Sequence, residues 1–178
     1  MLLTHARRPA RSRADGRLVL LADQDRSRWD RELIGEGHDL VRACLRRGRP
    51  GPYQLQAAVQ AVHTDAPTAA DTDWRQVLAL YDQLMALQPT AVVALNRAVA
   101  VAEVGGPTAA LVLVEALRGL DGYHLLHAVQ ADLLIRLDRV EEAVEAIDRA
   151  LALTDNPAER RLLSERRQVA AASGRPLS

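Results

Sequence analysis

Two groups of side chains in this sequence have the types and spacing that do chemistry. Asp121, His124 and His127 fall within seven residues, with the histidines one helical turn apart, the spacing at which two imidazoles and a further ligand hold a metal ion. The run Asp23-Gln-Asp-Arg-Ser-Arg-Trp-Asp30 sets three aspartates around Arg26 and Arg28, dense enough for acid-base work or cation binding. Each group also has a plainer reading. His127 falls on a helix-packing position and no third helical ligand is in register, so the sequence predicts no metal site and no cofactor. A loop-to-helix junction rich in Asp, Ser and Arg ordinarily supplies caps and ion pairs. On that reading Asp23, Gln24, Asp25, Arg26 and Trp29 are candidates for contact with a partner, not for catalysis.

Arg7, Arg8, Arg11, Arg13 and Arg17 offer bidentate forks that suit nucleic-acid phosphates. The stretch has no interleaved aromatics and no helix-turn-helix pattern, so direct DNA contact is not expected and protein carboxylates are an equal match. No G-x-x-x-x-G-K, G-x-G-x-x-G, H-E-x-x-H or G-x-S-x-G string occurs, and Cys44 sits in an ordinary helical core pattern. The expectation is a non-enzymatic protein. The alternative is a small-ligand or metal-binding sensor or enzyme built on His124, His127 and the aspartates.

The elements that position these groups read as helices. Met1 to Arg8 resembles the last turns of a helix with no cap before it, so further residues are expected upstream. A polar connector leads to the apolar run Leu18-Val-Leu-Leu21, read as strand-like or buried extended chain. Asp25 or Ser27 is expected to cap a helix with Trp29, Leu33, Ile34, Leu40, Val41 and Leu45 on its apolar face, ended by Gly48-Arg-Pro-Gly-Pro52. After Pro52 the sequence repeats every 33 residues: Val77, Ala110 and Ala143 correspond, as do Tyr81, Val114 and Ile147, and on the outer face Asp82, Glu115 and Asp148. A second helix recurs ahead of two of these, with Ala98 matching Ala131 and Val101 matching Leu134.

Two helices per unit at this period is the signature of tetratricopeptide repeats, in which small residues let the helices of a hairpin approach closely. The repeats are degenerate: Ala94 and His127 stand where Trp is favoured, and Thr64 to Asp71 is inserted in the first unit. The predicted fold is all-α, helical hairpins stacked as degenerate tetratricopeptide-like repeats in an α-solenoid, with an N-terminal helical and loop segment. Residues 1–50 form that basic segment with one long helix, continuous with the repeats. Residues 51–172 form about three hairpins and a capping helix started by Asn156-Pro-Ala-Glu159, and 173–178 are expected to be disordered. The groove along the first helices of the units, which in such proteins binds peptides, includes Asn96, Val99, Glu103, Asp132 and Arg136 by register.

Composition agrees with this class. The 178 residues include 31 Ala and 28 Leu, all 23 basic residues are arginine, and 23 acids balance them. Residues 1–49 hold 12 Arg against 7 acids, and the rest holds 11 against 16, so the two parts attract. One cysteine excludes an internal disulfide, and no apolar run nears the ~20 residues that cross a bilayer, so a cytoplasmic protein with no membrane association is expected.

Five strings carry a resemblance across nearly the whole chain. They are Ala6-Arg-Arg-Pro-Ala-Arg11, Leu18-Val-Leu-Leu-Ala-Asp-Gln-Asp-Arg-Ser-Arg-Trp-Asp30, Gly51-Pro-Tyr-Gln-Leu-Gln-Ala-Ala58, Val92-Val-Ala-Leu-Asn-Arg-Ala-Val-Ala-Val-Ala102 and Gly122-Tyr-His-Leu-Leu-His127. In this order they resemble the C-terminal extension of a subgroup of extracytoplasmic-function RNA polymerase sigma factors of the sigma-70 family. The resemblance implies an all-helical region ending in tetratricopeptide-like repeats. It implies a regulatory role in transcription initiation, with sigma regions two and four, the polymerase core or a signalling protein as partners. Regions two and four, which read the promoter in that family, have no counterpart here, so this chain alone is not expected to direct transcription. If Met1 to Arg8 packs under upstream helices, the isolated chain exposes an apolar patch and a homodimer becomes possible.

Overall fold

The computed structural model describes residues 1–173, and its regular structure there is helical. Among the described residues there are nine α-helices and no strand; one isolated antiparallel bridge joins Ser12 and Leu18. No helix among them is long and apolar enough to cross a membrane. The chain divides into two compact units. Met1–Pro89 holds α1 (Leu2–Ala6), α2 (Arg31–Leu45), α3 (Pro52–Asp65) and α4 (Trp74–Leu87). The second unit begins at Thr90 and holds α5 (Ala91–Gly105), α6 (Pro107–Glu115), α7 (His124–Arg136), α8 (Val140–Ala152) and α9 (Pro157–Ser173). The basic segment 1–50 thus shares a unit with the first expected hairpin, α3 and α4. The tail expected over 173–178 lies outside the described residues beyond Ser173, which ends α9.

In the first unit the long helix starts later than the sequence predicts. Asp30, not Asp25 or Ser27, caps α2, its carboxylate accepting the Leu33 N–H at 3.0 Å. Asp25 instead caps a 3-10 turn, Arg26–Arg28, accepting from the Ser27 N–H at 2.9 Å and hydroxyl at 2.6 Å. The two acids compete for one junction, and Asp30 wins because the Arg26–Arg28 turn carries Trp29 into the core, 3% exposed, just before the helix begins. Leu18 to Leu21 is neither strand nor buried run: Leu20 is exposed and Leu21 opens a 3-10 turn. On α2, Ile34 and Val41 are buried, whereas Leu40 and Leu45 remain exposed.

α1 is held on α2 by a notch at Gly37. A Cβ built there would lie 2.6 Å from Leu3 Cδ2 and 2.7 Å from Leu3 Cγ, and Leu3 is 4% exposed. Gly37→Val should therefore eject the Leu3 side chain. The overpacking exceeds the roughly 0.5 kcal/mol of helix propensity gained, for a net loss of about 2 kcal/mol in urea unfolding. An unchanged midpoint would show that α1 does not need the notch. α3 begins with Pro52 after Gly51 and buries Leu55, Ala58, Val59 and Val62; α4 is capped by Asp73, which accepts the Gln76 N–H at 3.0 Å. The connection between them is closed by Asp71, which accepts from the Thr68 N–H at 3.1 Å and hydroxyl at 2.7 Å.

In the second unit consecutive helices pack on each other, α5 on α6, α6 on α7, α7 on α8 and α8 on α9. The small residues expected between them are buried: Ala98, Ala110, Ala131 and Ala143 are at most 1% exposed, with Val114 and Ile147 beside them in one core. Alanine at these positions lets the backbones approach to the short interaxial distances that Leu would prevent. The turns are tight. Gly106 joins α5 to α6 with φ 89°, a conformation only glycine takes freely, and Asp138 holds φ 58° between α7 and α8, which a short polar side chain tolerates. Asn156 caps α9 as the sequence predicts, its Oδ1 accepting from the N–H groups of Ala158 at 2.9 Å and Glu159 at 3.3 Å.

Candidate functional site

At the junction of the first unit, most candidate side chains turn inward. Arg26 donates through one nitrogen to the backbone carbonyls of His63 and Ala66, both at 2.7 Å, so it closes the C-terminal end of α3. Its guanidinium lies 4.5 Å from the centroid of the Trp29 ring. Burial lowers the Arg26 pKa, partly offset by the charge of Asp71. Gln24 donates to the Val19 carbonyl at 3.2 Å. Asp25 is held below the ordinary carboxylate range by its bonds from the Ser27 hydroxyl and N–H. Asp23 is exposed.

Behind this junction is a cluster that the sequence reading missed. His63 is 8% exposed, its ring edge-on to Trp74 with centroids 5.3 Å apart. Burial, then the nearby Arg7 and Arg26 cations, push its pKa down to about 4, so it is neutral at pH 7. Arg7, 7% exposed, donates to the Gln60 side-chain carbonyl, and burial with the Arg11 and Arg26 charges lowers its pKa to about 10. Among the described residues no carboxylate lies within 4 Å of Arg7. His63 was legible in principle, because it continues the Leu55, Val59, Val62 face of α3; nothing local marks Arg7 as buried.

In the second unit the α5 and α7 candidates pair with one another. Arg136 donates to the Glu103 carboxylate at 2.6 Å and to the Ala102 carbonyl at 3.1 Å. Asp132 accepts from Arg166 on α9, and Asp148 takes a two-pronged contact from Arg167 at 2.6 and 2.9 Å. The Arg136–Glu103 and Arg166–Asp132 links span 33 and 34 residues, and Arg167–Asp148 ties α9 to the preceding α8, so these charges have an internal use. Val99 is half-buried, and Asn96 is exposed on α5 with its amide open to solvent.

The two histidines of the metal alternative diverge. His124 Nε2 stands 3.2 Å from Glu159 of α9, whereas His127 Nε2 contacts the Asp121 backbone carbonyl at 3.1 Å. Among the described residues no three His, Cys, Asp or Glu side chains are grouped to hold a metal ion. In this geometry the candidate charges of the second unit are engaged in internal ion pairs.

Residues 1–45, which build α1, the junction and α2, match a family of unknown function, DUF6596. Over 160 residues the chain is 48% identical to an uncharacterized protein of Rhizobium meliloti (strain 1021). That alignment covers 89% of this chain and 38% of the relative, so the chain spans well under half of the curated protein it matches.

Proposed function

We propose that this chain is a non-enzymatic, cytoplasmic protein-interaction region of an RNA polymerase sigma factor of the extracytoplasmic-function type. It modulates transcription initiation through contacts with sigma regions two and four, the polymerase core or a signalling protein. The observation that carries the reading is the match over residues 1–45 to a family commonly found at the C-terminus of sigma-70 family proteins. The order of the five sequence strings and the greater length of the Rhizobium relative agree with it. In the same reading α3 to α8 form three degenerate tetratricopeptide-like hairpins, with α9 as the capping helix. The buried alanines at 33-residue spacing support that arrangement.

The exposed amide of Asn96 is the best-placed partner contact, since it offers both an acceptor and donors to a peptide backbone. Glu103, Asp132 and Arg136 frame the same face while paired with neighbours. A pull-down of this chain with separately produced sigma regions two and four and with core polymerase tests the reading. Retention of either is expected, and Asn96→Ala should weaken it about fivefold, the loss of roughly one hydrogen bond, with an unchanged circular dichroism spectrum. Failure to retain either partner would overturn the proposal, and undiminished binding by Asn96→Ala would remove that residue from the site.

A further inference from the structure

We propose that a groove on the first unit, between α1, α2 and α3, docks an acidic amphipathic helix of a partner protein. This surface uses neither Asn96 nor the α5 and α7 face, so its test is independent of the reading above. The groove encloses about 260 Å³ and is lined by Leu2, Leu40, Val41, Cys44, Tyr53 and Ala57, with Leu3 over Gly37 at its floor. Leu40 is 54% exposed and Tyr53 83% exposed, and Leu45 of α2 is exposed as well, while Val41 of α2 and Leu55, Ala58, Val59 and Val62 of α3 are buried. Large apolar side chains left open along a concave surface match the helix-in-groove mode of recognition, read by apolar residues at i, i+3, i+4 and i+7.

The charge around the groove selects the partner's sign. A second recess shares Leu2 and Thr4 with the groove and is lined by His5, Arg8 and Arg11, and no residue lining either recess is acidic. Arg11 donates to the Thr4 carbonyl at 2.9 Å, which orients its guanidinium without neutralising it. Arg8 is exposed, and among the described residues no carboxylate lies within 4 Å of Arg8 or Arg11. A partner helix with Leu-type residues on one face and Glu or Asp along its edge meets both features at once. A lipid surface fits less well, because a flat bilayer cannot fill a concave trough. A second copy fits less well too: the acidic amphipathic helix of this chain, α8, already buries its apolar face through Ala143, Ala146, Ile147 and Ala150.

Cys44, the single cysteine, lines the groove and reports its occupancy. The probe is a capped helical peptide of about four turns with Leu at i, i+3, i+4 and i+7 and Glu elsewhere. Its twin carries Lys for Glu, and anionic phospholipid vesicles and the protein alone at rising concentration serve as further arms. The acidic peptide should bind at least about tenfold more tightly than its twin, weaken as salt rises, and slow Cys44 alkylation about fivefold. Arg8→Glu should reduce its affinity about fivefold and Leu40→Asp should abolish binding; both positions are exposed, so circular dichroism should be unchanged. Equal binding of the two peptides, or no Cys44 protection by the acidic one, would overturn the proposal. So would protection by vesicles alone, or concentration-dependent self-protection that marks a second copy as the occupant.

Discussion

Arg26→Ala is expected to destabilise the first unit by about 3 kcal/mol in urea unfolding. The guanidinium donates to two carbonyls at the C-terminal end of α3, those of His63 and Ala66, and lies against the Trp29 ring. Truncation leaves both carbonyls without the donor, at roughly 1–3 kcal/mol for a buried unpaired group, and removes a cation-π contact of about 0.5–1 kcal/mol. Arg26→Lys keeps the charge but not the flat stacking surface, so an intermediate loss is expected. If the alanine variant unfolds at the wild-type midpoint, Arg26 is not the clasp of α3. The sequence alone places Arg26 among the candidates for contact with a partner. The contacts seen here mean that any binding defect must be measured together with stability.

Acidification from pH 6.5 to 4 should cost roughly 3 kcal/mol through His63 alone. Its folded pKa of about 4 lies below the ordinary histidine value of 6.5, so between these values the unfolded chain binds more protons than the folded one. Stability from this group is therefore fully present above pH 6.5 and lost as pH falls toward 4. The opposing charges are explicit: Arg7 beyond the end of α1 and Arg26 on the 3-10 turn both disfavour an imidazolium, and Trp74 of α4 covers the ring. His63→Phe keeps an aromatic edge against Trp74 and cannot be protonated. Urea midpoints of the two proteins across this range should diverge, with the wild type falling more steeply. Parallel pH profiles would show that His63 does not carry the acid sensitivity.

The spans of the helices were legible because their signals are local. Caps and breakers such as Asn156, Pro157 and the Gly48 to Pro52 run act within one turn, and the buried alanines at 33-residue spacing could be read directly. The start of α2 was misread for a related reason. Asp25, Ser27 and Asp30 are all competent caps, and the choice among them turned on where Trp29 is buried. The candidate site was less legible. Asn96 was placed on an exposed face as its register suggests, but Glu103, Asp132 and Arg136 turned out to be paired.

The sequence by itself determined the helical class, the 33-residue periodicity and the positions of the close helix contacts. Hydrophobic period and capping depend on neighbours a few residues away, so the primary structure contains them. Only the tertiary structure decided which charges meet, that Arg7 and His63 are both buried, and that Leu40 and Tyr53 stay open along a groove with a basic rim. Arg26 reaches carbonyls 37 and 40 residues away, and Arg136 reaches a carboxylate 33 residues away. Such contacts have no periodic signature; they arise when packing brings distant turns within hydrogen-bond reach, and burial then sets what each charge costs.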